Sequence, residues 1–277
     1  MSRFQGKVVI VTGSSSGIGA ATALLFAKEG AFVTITGRKE GRLESVRKSI
    51  VDASVPGERV HMVVGDLTNE ETRKKIVEST VALWGHLDIL VNNAGASITH
   101  GKRGFDANDD AFMKTIDINL RSVVQLVHLA RPHLIRSKGE IVNVSSIAAM
   151  DFGIKHDPYY AISKAGLDQF TRALAVDLIE HGVRVNGVRP GIVETSFMEN
   201  NGLTKEQSEK VYKFYGSQRH AVPRGSNANP LEIANVIAFL ADRKMSSYIV
   251  GQMIVADGGT SLIMGAYTYD FEAVLSS

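Results

Sequence analysis

The chain has 277 residues, with 29 acidic and 31 basic side chains and a net charge of +2. That is long enough for one large domain with a substantial core. No linker rich in proline, serine or glycine divides it, so a single domain over residues 1–277 is expected. No block of like charge appears, which argues against a nucleic-acid partner, since phosphate binding needs clustered Lys and Arg. No apolar run reaches the roughly 18 to 20 residues of a membrane span, and the first residues carry no signal-like apolar region, so no membrane and a cytoplasmic location are expected. The absence of cysteine excludes disulfides and thiolate chemistry. Asn143-Val144-Ser145 matches a glycosylation sequon but falls in an apolar strand and is read as chance.

Short β-branched runs alternate with longer helical stretches. Lys7–Thr12 reads as the first strand, followed by a glycine-rich turn and an Ala-rich helix through about Glu29. Ala31–Thr36 is the second strand, then a charged helix over about Lys39–Val51. Arg59–Val64 is the third, followed by a helix from about Asn69 with Val77, Val81 and Trp84 on one face. Leu87–Val91 is the fourth strand. A polar loop then leads to one long helix, about Phe112–Ala130, apolar nearly all round and therefore expected to be buried. Glu140–Val144 gives the fifth strand, a helix spans about Pro158–Glu180, and Val183–Val188 is the sixth. Leu231–Leu240 reads as helix and Gln252–Val255 as the last strand. Such alternation predicts an α/β doubly wound, Rossmann-type parallel sheet of about seven strands with helices on both faces. Several strands are apolar throughout, as expected when both faces are covered.

Between the first strand and helix lies Thr12-Gly13-Ser14-Ser15-Ser16-Gly17-Ile18-Gly19. Glycines there let the backbone approach a pyrophosphate, and the helix N-terminus offers free N–H groups. Further along stand Asn92-Asn93-Ala94-Gly95, Asn119, Ser145-Ser146, Tyr160 four residues before Lys164, and Pro190-Gly191. In these ordered motifs, from about Gly6 to Gly259, the chain resembles the compact branch of the short-chain dehydrogenase/reductase family.

The resemblance implies an NAD(P)-dependent oxidoreductase acting on a carbonyl or secondary alcohol, with Asn119, Ser146, Tyr160 and Lys164 as the catalytic set. It implies a cofactor site of Gly13, Ser15, Ser16, Gly17, Ile18, Gly19, Arg38, Asp66, Leu67, Asn93, Ala94, Gly95, Tyr160, Lys164, Pro190, Gly191, Ile192 and Thr195. Asp66 would meet the adenine, or simply cap the following helix; Asn93 and Gly95 would lie beside the adenosine ribose, or Asn93 is a turn residue. Ile192 and Thr195 would meet the nicotinamide carboxamide. Asn119 would anchor a relay water beside Lys164, or satisfy backbone groups as a buried asparagine.

Residue chemistry supports these roles. A tyrosine hydroxyl can exchange the proton that a reacting oxygen needs, and a nearby ammonium favours its phenolate. Tyr160 and Lys164 share a helix face; Tyr159 competes, but four residues beyond it stands Ser163. Ser146 would orient the substrate oxygen, with Ser145 as the alternative. At the end of the second strand Thr36-Gly37 offers no carboxylate for a ribose 2′-hydroxyl, and Arg38 follows, suited to a 2′-phosphate. NADP(H) is therefore expected over NAD(H), unless Arg38 is only a solvated helix-start residue. No histidine pair has metal-ligand spacing, so no metal is expected.

The substrate would contact Ser146, Tyr160, Phe152 and Phe197 beneath a lid over about residues 192–230, or that segment is a packed helical hairpin. The tail, 260–277, is expected to cross a subunit interface of a homo-oligomer, tetramer or dimer.

Overall fold

The computed structural model describes residues 2–102 and 104–263. Seven strands form one parallel sheet in the order β3-β2-β1-β4-β5-β6-β7. They are β1 (Val8–Val11), β2 (Phe32–Gly37), β3 (Val60–Val64), β4 (Ile89–Asn92), β5 (Glu140–Val144), β6 (Arg184–Pro190) and β7 (Met253–Ala256). Register follows the apolar runs: Val9 pairs with Val33 on one side and Ile89 on the other. Chain order reverses between β1 and β4. That switch point leaves a crevice at the carboxyl ends of the strands, the place where open α/β sheets bind ligands.

Two buried layers flank the sheet. On one side α1 (Gly17–Lys28), α2 (Glu40–Asp52) and α9 (Pro230–Ala241) contribute Phe26, Leu43, Ile50 and Ile237 to the core. On the other, α3 (Glu70–Trp84), α5 (Ser122–Ser137) and α6 (Pro158–Ile179) contribute Ile76, Leu126, Leu134 and Leu167. The doubly wound Rossmann-type architecture expected from the sequence is the one observed.

The expected single helix over Phe112–Ala130 is divided. Its first part, α4 (Asp109–Ile116), starts earlier because the Asn108 side chain accepts the Ala111 N–H at 3.0 Å. A π-helical turn, Asp117–Arg121, then separates it from α5. That helix continues past Pro132 to Ser137; the carbonyl that loses its partner, on His128, belongs to an exposed residue where water can satisfy it. Nor is the segment buried all round. Val123, Leu126, Val127, Ala130 and Leu134 make a one-sided stripe, and Met113 is exposed.

Residues 197–217 lack an apolar period because α7 (Phe197–Asn200) and α8 (Lys205–Ser217) bury little. The latter is started by a capping box, Thr204 with Gln207. After α9 comes the short α10 (Arg243–Ser246). Of the tail expected at an interface, residues 264–277 lie outside the described residues.

Phe26, fully buried with its ring 4.6 Å from that of Phe4, holds α1 to the sheet. Phe26→Ala is expected to cost about 3–5 kcal/mol in urea unfolding. A loss below about 1 kcal/mol would mean that this layer is loosely packed.

Candidate active site

The β1–α1 turn is a cradle built on close backbone approach. Gly13 and Gly17 have φ of +63° and +56°, which glycine adopts without strain. A Cβ on Gly19 would stand 2.4 Å from the Gly13 carbonyl oxygen. Thr12, fully buried, accepts the N–H groups of Asn93 and Ala94 on its Oγ1, each at 3.0 Å. Asn93 Nδ2 donates in return to the Thr12 and Gly13 carbonyls at 2.9 and 3.1 Å. The loop after β4 is thereby wired to the glycine turn, so Asn93 is a turn residue that also lines the cleft. At the N-cap of α1, Ser16 makes no side-chain capping bond, and no acid sits in the first turn. The unsatisfied N–H groups and the helix dipole fit the pyrophosphate of a dinucleotide.

At the end of β2, Thr36 is buried, bonded through its N–H to Ser14 Oγ at 2.8 Å. Arg38 extends into solvent, its Nη1 3.9 Å from Asp66 Oδ2. The other oxygen of Asp66 accepts the N–H and hydroxyl of Thr68 at 2.9 and 2.8 Å. Asp66 therefore organises the turn before α3 while lining the cleft beside Arg38.

The chemical end is assembled on α6. Lys164 is 3% exposed, and its Nζ donates to the Val144 carbonyl at 2.8 Å and lies 5.7 Å from the centre of the Tyr160 ring. Burial pushes the lysine down to about 8, while the carboxylate of Asp168 opposes the shift. Burial pushes the Tyr160 hydroxyl up to about 12; a hydrogen bond with Ser146 opposes this and the charge of Asp157 adds to it. The direction for Tyr160 is opposite to that expected from the Tyr–Lys spacing, because desolvation outweighs the hydrogen bond with Ser146.

Ser146 stands at the end of β5 and its Oγ accepts the Ala148 N–H at 3.1 Å. Ser145 points elsewhere, its hydroxyl 3.3 Å from the Lys164 carbonyl. Tyr159 is likewise turned away, donating to the Ala107 carbonyl at 2.9 Å between Phe105 and Phe112. Asn119 sits in the π-helical turn, fully buried. It donates to the Ala96 carbonyl and to Ser163 Oγ and accepts the Ala96 N–H, all within 2.9 Å. A Cβ on Gly95 would meet Asn119 Oδ1 and Lys164 Nζ, each at 3.1 Å, so only glycine lets these three segments close up.

A cleft of about 720 Å³ runs from Arg38 to Ser146. Of the expected site residues all line it except Gly19, Asn119 and Phe152. Gly19 lies behind the turn and Asn119 one layer below the surface. Phe152 is 45% exposed, off the cleft. From the expected lid, the Phe197 ring packs 5.6 Å from that of Tyr160, Ser196 donates to Ser16 Oγ at 2.8 Å, and Tyr212 donates to the Thr195 carbonyl at 3.1 Å. Ile98, Lys114, Asp117, Ile118 and Asn200 also line the cleft and were not anticipated. For Lys114 and Ile118 a signal existed: they are four apart, on the helical face that leads into Asn119.

A pyrophosphate cradle at a topological switch point, opening onto a Ser–Tyr–Lys constellation, defines a nicotinamide-dependent oxidoreductase acting on alcohol or carbonyl groups. Comparison with known proteins agrees. The family model described as enoyl-(acyl carrier protein) reductase matches residues 13–261. The 3-oxoacyl-acyl-carrier-protein reductase FabG of Thermotoga maritima is 37% identical over 258 residues, 93% of this chain and 98% of that protein. A short-chain dehydrogenase/reductase of unknown function from Caenorhabditis elegans, solved with cofactor, superposes with a TM-score of 0.95 at 50% identity, covering 97% of this chain and 100% of the other. The glucose dehydrogenase of the same organism, in its apo form, gives 0.82 at 47% identity over 94% and 100%. The chain belongs to the short-chain dehydrogenase/reductase family. No helix among the described residues is long and apolar enough to cross a membrane.

Proposed function

We propose that the protein is an NADP(H)-dependent carbonyl reductase or alcohol dehydrogenase in which Tyr160 exchanges the proton of the reacting oxygen. The observation that carries this reading is the convergence of Ser146, Tyr160 and Lys164 at one end of the cleft, with the glycine cradle at the other. A nicotinamide held in this cleft would supply or take the hydride. Ser146 and Tyr160 hold the substrate oxygen between two hydroxyls. A tyrosine pushed up to about 12 stays protonated at neutral pH, which suits donation to a ketone oxygen. The reverse direction needs the phenolate, and Lys164 in its ammonium form supplies the charge that favours it. Asn119, bonded to both backbone groups of Ala96 and close to Gly95 and Lys164, would anchor a relay water linking Lys164 to solvent.

Phe197, Met198 and Tyr212 form the substrate wall as part of a lid of residues 192–230 over the substrate; Phe152 would touch only a substrate that reaches the rim. The substrate is a small ketone or secondary alcohol. Exposed apolar side chains along α6 (Ile162, Val176 and Ile179) support a homo-oligomer, dimer or tetramer, as the working unit.

Cofactor preference rests on Arg38. Its contact with Asp66 is long and exposed, and such pairs contribute about 0–1 kcal/mol. A charge-assisted bond to a 2′-phosphate contributes about 1.5–3 kcal/mol, so the phosphate wins the guanidinium. NADPH is expected to exceed NADH by at least about tenfold in kcat/KM. Arg38→Ala should erase most of that margin, and Gly37→Asp should invert it by setting a charge against the phosphate. Equal affinities for both cofactors, unchanged in Arg38→Ala, would contradict the assignment.

The reaction itself is tested by following nicotinamide absorbance over a panel of ketones, aldehydes, sugars and sterols. Tyr160→Phe is expected to lose turnover while still binding cofactor, and Tyr159→Phe to keep it. More than about a tenth of wild-type rate in Tyr160→Phe would overturn the proton role, since positioned acid–base groups contribute about 10²–10⁴-fold.

A further inference from the structure

One turn beyond Lys164, on the same buried face of α6, stands Asp168, 1% exposed. Arg189, next to Pro190 at the end of β6, donates to its Oδ2 from Nε at 2.6 Å, and its Nη2 lies in ion-pair contact with the same oxygen. The other, Oδ1, is buried with no hydrogen-bond partner. An acid left half unsatisfied in a core is a poor way to gain stability, because a buried pair is often no better than an apolar replacement. Its position offers another reason. Lys164 donates to one backbone carbonyl, and of the charges around it Asp168 is the one that favours the ammonium.

We propose that Asp168, held by Arg189, is a positioning residue that keeps Lys164 charged in its buried seat and locks α6 to the strand end presenting Pro190 and Gly191. This rests on the role given to Lys164 above. The ion pair joins the helix that carries Tyr160 and Lys164 to the end of β6, one residue before the cleft-lining Pro190 and Gly191. The other titratable or charged groups facing Lys164 are few. Tyr160 lies above it on α6, Asp157 precedes that helix and acts on Tyr160, and Lys114 and Asp117 line the cleft from α4 and the π-helical turn. From β6 the facing charge is Arg189.

The sign of the effect follows from burial. Lys164 has a folded value of about 8, below its ordinary value, so between the two the unfolded chain binds more protons and stability rises with pH. Asp168→Asn keeps the shape and removes the charge. The alkaline fall of kcat/KM for ketone reduction should then move down by about one pH unit, which lowers the rate at pH 8 about fivefold. In the ligand-free protein, the rise of unfolding free energy with pH should begin at correspondingly lower pH. Arg189→Gln frees the carboxylate from its counter-charge, strengthens its hold on Lys164 and should move both features upward. Opposite shifts in the two variants are the expected result. If both variants lose thermal stability with neither feature displaced, or move in the same direction, Asp168 is only a structural tie and the proposal is overturned. Should the unfolding profile move as stated while the rate shows no alkaline limb, the coupling stands and the catalytic role of Lys164 fails.

Discussion

A lysine ammonium buried at the carboxyl edge of a parallel sheet is the constraint around which the rest of the site is arranged. Removing such a charge from water is costly unless partners replace the lost hydration. Here the replacements are the Val144 carbonyl, the face of the Tyr160 ring and the carboxylate of Asp168. Each comes from a different part of the architecture: a strand end, the turn before Lys164 on α6, and the turn after it. Gly95 and Asn119 then close the remaining side, where one extra methyl group would meet both the asparagine oxygen and the ammonium nitrogen. Burial drives the lysine down and the tyrosine up, so the ligand-free site holds a protonated phenol beside an ammonium close to its own titration.

That arrangement depends on sheet topology. Reversal of chain order between β1 and β4 opens the crevice. The same reversal places the uncapped N-terminus of α1 on one side of it and the end of β5, with Ser146, on the other. Asn93 ties the two halves by bonding back to Thr12 and Gly13. The segment after β6 adds a third contact: Ser196 donates to Ser16 on the glycine turn while the Phe197 ring packs on that of Tyr160. The glycine turn and Tyr160 are thus contacted by two adjacent residues of one short segment.

Much of this was legible in the sequence, for physical reasons. Continuous β-branched runs announce strands covered on both faces, and the spacing of Tyr160 and Lys164 places both on one helix face. The competing hydroxyls of Tyr159 and Ser145 are engaged by the Ala107 and Lys164 carbonyls. Other features leave no local mark. The π-helical turn adds one residue to a helical pattern without changing its composition, so α4 and α5 read as one element. The Asp168–Arg189 pair joins residues whose proximity exists only once α6 has packed on β6. The shift of Tyr160 depends on desolvation, which spacing cannot report. The capping box of α8, by contrast, was written in Thr204 and Gln207 and was simply masked by the weak periodicity that follows.

In the function proposed above, this cleft moves a hydride between the nicotinamide and a carbon whose oxygen is held by Ser146 and Tyr160. The most direct measurement uses NADPH deuterated at the transferring position of its nicotinamide ring, with ketones of graded size, followed by mass spectrometry of the alcohol formed. Deuterium is expected on the carbinol carbon of the product in the wild-type protein, and none when Tyr160 is replaced by phenylalanine. Tight binding of the labelled cofactor with no deuterium delivered to any carbonyl compound would contradict it, and would make the cleft a nucleotide-binding site without redox chemistry.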